Sequence, residues 1–403
     1  MSLTANAVAP LSGGAFSRGE PTVPGSPVSF RLLAVDGSSR ARRGVMATAH
    51  GQVQTPAFMP VGTQASVKTL HPAEVRAVGA RILLANTYHL MLRPGLDLLR
   101  EAGGLHRFMG WDGAILTDSG GFQIFSLARN AKVTDRGVTF ASHIDGSRHH
   151  LTPEEAMRLQ VGWGSDIAMA LDHLVGLPSE RGAVQAATER TARWLDRCVR
   201  AFADLDGHAT GSALFGICQG GMEADLRRES ARMLAAAGVS GCAIGGLSVG
   251  EPKPVMAEML RVVTEELPAG KPRYLMGVGS PEDLWMGVEL GVDLFDCVLP
   301  TRLARNGALF TSDGRIAIRN ARWARHHAPV DPECDCDTCR TFTAAYLHHL
   351  FRAGEVLGLR QASVHNLRFL ARQAEAIRAA IEAGTFRSAH AAFRDRYRVV
   401  GQA

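Results

Sequence analysis

The sequence has no apolar run of the roughly 18–20 residues that a membrane-spanning helix needs. Its N-terminus lacks the basic start, apolar stretch and small-residue cleavage site of a secretory leader. No membrane partner is therefore expected, and the protein is read as cytoplasmic. A strong charge imbalance is also missing. The chain carries 44 Lys+Arg against 39 Asp+Glu, a net of +5, and so mild an excess does not by itself call for nucleic acid. A dinucleotide fold is disfavoured too. The turn after the first apolar run, Val61-Gly-Thr-Gln-Ala-Ser, does not supply the G-x-G-x-x-G that a Rossmann sheet places there. The seven cysteines are not expected to pair, because cytosolic thiols stay reduced. Cys198, Cys218, Cys242 and Cys297 lie singly among apolar residues and read as small core side chains.

What is present is a long chain, 403 residues and 46% hydrophobic, with ample material for a core. Residues 1–29 are rich in Gly, Pro, Ser and Ala without periodicity and read as a disordered leader. From Ala57 onward, short apolar runs alternate with longer amphipathic ones. The runs are Ala57–Val61, Arg81–Ala85, Ala114–Thr117, Ile167–Leu171, Ala213–Cys218, Cys242–Ile244, Arg273–Met276 and Val292–Phe295. Helix starts are marked by His71-Pro-Ala-Glu, Thr152-Pro-Glu-Glu, Ser179-Glu-Arg and Ser280-Pro-Glu-Asp, and the helix Ala224–Ala237 stops at Gly238. Eight strand–helix alternations predict an α/β fold, a (β/α)₈ TIM barrel over residues 30–390. Two insertions interrupt it. Residues 131–151 alternate around Asp135-Arg-Gly and predict a β-hairpin, and residues 303–365 form a larger insertion before the last helix, His365–Ala383. Residues 391–403 are expected as a tail.

The larger insertion holds Cys334-Asp-Cys336-Asp-Thr-Cys339. Three thiolates and an imidazole make the closed tetrahedral set of a structural zinc, whose task is folding energy. Candidates for the imidazole are His365, 26 residues after Cys339, and His326, His327, His348 and His349.

Barrel enzymes carry their chemistry at the C-terminal ends of the strands. Those ends read Asp118-Ser119-Gly120-Gly121-Phe122-Gln123, then Asp172, Gln219-Gly220-Gly221, Gly245-Gly246-Leu247, Met276-Gly277-Val278-Gly279 and Asp296. Carboxylates and an amide around one mouth suit a flat, donor-rich heterocycle such as guanine. Two carboxylates across a sugar suit glycosyl transfer, one as nucleophile and the other handling protons. Between Thr301 and Arg325 lie six arginines and one acidic residue, Asp313. Arginine forks match phosphate oxygens and base edges.

At these residues the sequence resembles the bacterial-type tRNA-guanine transglycosylases (queuine tRNA-ribosyltransferases), from Phe30 to the end of the last helix. The resemblance rests on Asn86-Thr-Tyr-His-Leu, Thr117-Asp-Ser-Gly-Gly-Phe-Gln, Gly216-Ile-Cys-Gln-Gly-Gly, Gly245-Gly-Leu-Ser-Val-Gly-Glu, Arg273-Tyr-Leu-Met-Gly-Val-Gly, Phe295-Asp-Cys-Val-Leu-Pro-Thr-Arg and the cysteine cluster. It implies a pentosyltransferase that exchanges guanine 34 in tRNAs with G-U-N anticodons (the Asp, Asn, His and Tyr type) for a 7-deazaguanine, a step of queuosine biosynthesis. Asp296 would be the nucleophile on ribose C1′, and Asp118 the general acid-base. Asp118, Ser119, Gly120, Gly121, Asp172, Gln219 and Gly246 would bind the base, sandwiched by Phe122 and Met276, with Glu251 buttressing a peptide that faces it. The RNA path would run along Gly277, Val278, Gly279, Ser280, Pro281, Glu282 and Asp283, and over Thr301, Arg302, Leu303, Ala304 and Arg305. The zinc ligands fall on Cys334, Cys336, Cys339 and His365, one Zn2+ per chain, and the enzymes of this type are homodimers. One departure concerns the incoming base. Asp172-His173-Leu174 replaces the usual Asp-Glu-Cys, a cysteine that queuine-using eukaryotic relatives also lack. Val249 is retained where those relatives have glycine. The expectation is preQ1 (7-aminomethyl-7-deazaguanine), with queuine as the alternative. A non-catalytic RNA-binding subunit is disfavoured because Asp296 stands in its full motif. An unrelated glycoside hydrolase would explain neither the polar ring nor the arginines.

Overall fold

The computed structural model of the chain describes residues 20–398 except Ala128. Its centre is a ring of eight parallel strands: β1 (Ala57–Met59), β2 (Ile82–Asn86), β3 (Ala114–Asp118), β4 (Ile167–Met169), β5 (Ala213–Cys218), β6 (Gly241–Ile244), β7 (Arg273–Leu275) and β8 (Leu294–Asp296). Each of the eight apolar runs supplies one strand. Neighbours pair in chain order, with Leu84 opposite Leu116 between β2 and β3 and Phe58 opposite Phe295 between β1 and β8. The ring closes between β1 and β2, where Leu84 N donates to Pro60 O (3.0 Å) and Gly62 N to Leu84 O (2.7 Å). This is the expected TIM barrel.

The strand period of two then decides which side chains reach the mouth. Ile82 and Leu84, Ala114 and Leu116, Phe215 and Ile217, Tyr274, and Leu294 fill the interior in one cluster. The next position on the same row is Asn86, Asp118, Gln219, Met276 or Asp296. The opposite phase, such as Leu83, Ala85 and Ile115, packs outward under the helices.

The other end of the barrel is closed by a three-stranded antiparallel sheet, Ser29–Val35, Arg42–Thr48 and Gly51–Thr55, which the sequence reading did not anticipate. Val28, Phe30, Met46 and Val53 of this segment join the interior cluster. Packing therefore begins before residue 30. Pro21 bridges to Ser29, and the Ser26 hydroxyl lies 2.9 Å from that of Ser240. Residues 1–19 of the expected leader lie outside the described residues. At this same end Asp166 accepts from Ile115 N (2.8 Å), His106 Nε2 (3.0 Å) and His50 Nδ1 (2.9 Å). Burial opposes its ionisation, yet the bonds from His106 and His50 hold its pKa at about 2. The two imidazoles stack with centroids 3.6 Å apart and planes 17° apart. Lone pairs in two parallel planes cannot converge on one ion, so the trio clamps the β3–β4 edge rather than forming a metal site.

Helix starts follow the capping logic at three of the four expected places. His71 and Glu74 form a reciprocal box, Thr152 Oγ1 accepts from Glu155 N (3.2 Å), and Ser280 Oγ accepts from Asp283 N (3.2 Å). Ser179 instead donates to Gly176 O (2.6 Å), and its helix begins at Arg181. The expected hairpin is larger than predicted. Arg148–Leu151 adds a third strand to Arg129–Thr134 and Gly137–Ala141. The last barrel helix runs from Val356 to Glu382, so His365 lies well inside it rather than at its start. Gly358 lies in the first turn of this helix. It allows the helix Ala344–Ala353 to pack close, since a Cβ there would lie 3.0 Å from Leu350 Cβ. The expected tail begins as helix as well: Phe386–Arg396 stacks Phe386, His390 and Phe393 on Trp285. No helix among the described residues is long and apolar enough to cross a membrane.

Candidate active site

Three buried carboxylates stand at the C-terminal ends of β3, β4 and β8, each held by a different set of donors. Asp118 ends β3. Its Oδ1 accepts from Thr87 N (3.0 Å), and its Oδ2 from Gln123 Nε2 (2.8 Å) and from the Asn86 side-chain amide. Burial raises its pKa to about 7 against those hydrogen bonds, and the charge of Asp296 adds to the rise. Asp172, just past β4, accepts from Ser119 Oγ on Oδ1 (2.9 Å) and Gln219 Nε2 on Oδ2 (2.7 Å). Burial lifts its pKa above the usual carboxylate value, opposed by Ser119 and Gln219. Asp296 ends β8. Its Oδ1 accepts from Tyr274 OH (2.6 Å) and Gly277 N (2.7 Å), while Oδ2 has no protein donor among the described residues. Burial raises this pKa too, opposed by the same two donors.

Backbone compactness brings these groups together. A Cβ at Gly121 would lie 2.7 Å from Asp172 Oδ1, so only glycine lets the β3 turn approach that carboxylate. Gly246 has φ +63° and presses on the Gln219 amide, where a Cβ would collide with Oε1. Beyond it the turn is tied down by Glu251, whose carboxylate accepts from Ser248 N and from Val249 N (3.0 Å). Ser248 itself sits at φ 59°, a conformation that few non-glycine residues hold without such support. Phe122 opens the helix Gly121–Leu127 with its ring half-exposed at the mouth, and Met276 is partly buried.

The expected RNA-path residues divide by exposure. Gly277 is exposed and Glu282 half-buried, whereas Val278, Gly279, Ser280, Pro281 and Asp283 are buried. Ser280 caps the helix Pro281–Glu289, and Asp283 pairs with Lys253. On the helix Leu299–Arg305, Arg302 is exposed and Arg305 and Leu303 are half-exposed, while Thr301 and Ala304 face inward. Not every arginine of the basic segment is available. Arg319 donates to Phe351 O (2.9 Å) and stacks on that residue's ring.

Sequence reasoning assigned no role to Asn86, Thr87, Gln123, Tyr274 and Arg227, all of which hold the site. Asn86 and Tyr274 lie on the inward phase of β2 and β7, and that phase would have found them. Arg227 interrupts the apolar face of the helix Ala224–Ala236, a position where an arginine is unexpected.

The cysteine cluster is assembled as expected, with Cys334, Cys336, Cys339 and His365 buried and their ligand atoms within 4.8 Å of one another. His365 Nε2 donates to Phe310 O (2.6 Å), leaving the Nδ1 lone pair toward the thiols. That nitrogen lies 3.6 Å from Cys336 Sγ and 3.3 Å from Cys339 Sγ. A tetrahedral zinc with sulfur and nitrogen ligands would separate such atoms by about 3.5 Å. The four residues thus fit a metal ion. The competing histidines do not join them: His326, His327 and His349 are exposed, and His348 Nδ1 lies 2.8 Å from Ile318 O.

A family model described as Queuine tRNA-ribosyltransferase matches residues 36–399. Among similar curated proteins, the queuine tRNA-ribosyltransferase of Herpetosiphon aurantiacus is 59% identical over 353 residues, 88% of this chain and 88% of its own. That of Symbiobacterium thermophilum is 56% identical over 370 residues, 92% of each chain. That of Moorella thermoacetica is 55% identical over 370 residues, covering 92% of this chain and 98% of its own. With its barrel, its ring of carboxylates and its Cys₃His group in place, the chain belongs to the queuine tRNA-ribosyltransferase family.

Proposed function

We propose that the protein exchanges guanine 34 of tRNAs with G-U-N anticodons for preQ1 through a covalent ribosyl–Asp296 intermediate. The observation that carries this reading is the asymmetry of Asp296: Oδ1 is fixed by Tyr274 and Gly277, and Oδ2 has no protein donor among the described residues. Attack of Oδ2 on ribose C1′ breaks the C1′–N9 bond, and the bonding pair leaves with guanine. Asp118, close to half protonated near neutrality, delivers a proton to the departing base and later takes one from the incoming base. Asp172, Gln219 and the Gly246 N–H recognise the base edge, Phe122 and Met276 cover its faces, and Arg302 and Arg305 engage the flanking nucleotides. The protein acts as a cytoplasmic homodimer. PreQ1 is favoured over queuine because Val249, held by Glu251, keeps a side chain where glycine would make room for a cyclopentenediol.

The test is displacement of labelled guanine from tRNA with preQ1 and queuine offered separately. Displacement by preQ1 at low concentration, with queuine much weaker, is expected. Equal use of both would remove Val249 from the account, and no displacement by either would refute the exchange reaction.

The Cys₃His group would hold one structural zinc, a closed set supplying folding energy and no chemistry at the mouth. Metal analysis should find about one zinc per chain. Cys336→Ala should lose the metal and melt well below the parent, since removal of a structural site costs several kcal/mol of folding energy. A metal-free Cys336→Ala protein with unchanged melting would contradict the assignment.

A further inference from the structure

Arg227 is among the largest fully buried side chains of the protein, yet it forms no ion pair with a carboxylate among the described residues. Its guanidinium is spent on backbone carbonyls at the mouth. Nε donates to Gly221 O (2.9 Å), Nη1 to Gly245 O (2.6 Å) and Nη2 to Gly246 O (2.7 Å). The planar fork thus ties the turn after β5 to the turn after β6. Gly221 ends the Gln219-Gly-Gly stretch, and the same helix fixes Gln219 N through Ser230 Oγ (3.0 Å).

The choice of carbonyls matters for the chemistry. The Gly245 carbonyl and the Gly246 N–H are the two ends of one peptide unit, and the Gly246 carbonyl shares a peptide with the Leu247 N–H. A cation bonded to the oxygen end fixes the plane and polarises the N–H at the other end, because hydrogen bonds in a chain reinforce one another. Among the described residues no protein acceptor takes the Gly246 N–H. It is therefore available to a ligand beside the Gln219 amide.

We propose that Arg227 is a positioning residue that aims and polarises the Gly246 N–H at the carbonyl oxygen of the departing base. The inference rests on the base-exchange reading. When the C1′–N9 bond breaks, the electron pair stays with guanine and spreads through its rings to the carbonyl oxygen. A preorganised donor there strengthens as the charge develops, in the manner of an oxyanion hole.

Two tRNA substrates separate this role from simple support of the fold. One carries guanine at position 34, the other 7-methylguanine, whose positive ring leaves with little charge on its oxygen. A pocket that accepts 7-substituted bases has room for the methyl group. In single-turnover base release, Arg227→Lys should slow guanine departure by about 10- to 100-fold, below or at the loss seen on deleting an oxyanion donor. Its tRNA affinity should stay within about twofold, and departure of 7-methylguanine should slow by less than about threefold, since the interaction it would remove is small in that transition state. Equal slowing of both substrates, or of neither, would overturn the proposal. Should Arg227→Lys fail to fold, replacing Gly246 by glycolate removes the N–H as a backbone ester and leaves Arg227 in place. The same split between substrates is then expected, and an unaffected guanine rate would overturn the proposal. Failure of the unaltered protein to release guanine from tRNA would instead refute the exchange reaction on which the inference rests.

Discussion

Asp296→Asn should reduce guanine release from tRNA by about 10⁴-fold or more, the scale on which loss of a nucleophile is felt. The amide is nearly isosteric, and its oxygen still accepts from Tyr274 OH and Gly277 N, the two donors that fix Oδ1. What it lacks is a second anionic oxygen free to attack. Tyr274 is buried, and its pKa lies well above the usual phenol value, first through burial and then through Asp296, so it stays a donor across the working range. Binding of tRNA should remain within about threefold of the parent, because phosphate contacts rather than this carboxylate supply most of the affinity. The variant should also fold at least as stably. A carboxyl whose folded pKa is raised is penalised once ionised, so stability falls as pH rises from the unfolded toward the folded pKa. The neutral amide removes that penalty at neutral pH. A large loss of rate with an unchanged or higher melting temperature, followed by calorimetry beside single-turnover kinetics, is the expected pair of results.

Asp118→Asn should slow both base release and uptake by about 10²- to 10⁴-fold, the usual contribution of a positioned general acid-base. Burial lifts this carboxyl to about 7 against Asn86, Thr87 and Gln123, and the Asp296 charge pushes the same way. The charge of Asp296 discourages ionisation of Asp118, so the two carboxyls divide the roles, with Asp118 protonated while Asp296 attacks. The pH dependence follows from the direction of that shift. The protonated form predominates below about 7 and is lost above it. Guanine release by the parent should therefore decline as pH rises through about 7, and on the acid side it should fall only where Asp296 itself becomes protonated. In Asp118→Asn that decline should disappear, leaving a slow rate without the break. A decline that persists unchanged in the variant would assign the titration to another group.

The barrel and most of its polar mouth were legible because a strand period of two is rigid. Once the eight apolar runs are placed, Asp118, Gln219, Met276 and Asp296 fall on the inward row above Leu116, Ile217, Tyr274 and Leu294. The same rule reaches Asn86 and Tyr274, whose roles as donors to Asp118 and Asp296 went unassigned because neither side chain is itself a nucleophile or base. Asp172 follows a different logic. It lies three residues past the end of β4, and its aim is set by Ser119 and Gln219 rather than by strand phase. The closing sheet at the far end leaves no strand–helix alternation in the sequence, because its three strands follow one another with no helix between them. Arg227 was missed because its partners are main-chain carbonyls of two turns, which leave no trace in residue type. The helix Val356–Glu382 begins before His365, and its first turn carries Gly358, a weak helix former whose close neighbour Leu350 the sequence does not reveal.

Covalent trapping tests the central claim most directly. The protein is incubated with tRNA and 9-deazaguanine, which fills the base site but has no N9 to reverse the displacement, and the denatured complex is digested and its peptides mapped by mass spectrometry. The account predicts a denaturant-resistant protein–RNA species with the ribose on the peptide containing Asp296, absent from Asp296→Asn. A ribosylated peptide containing Asp118 instead, or an adduct that persists in Asp296→Asn, would contradict it.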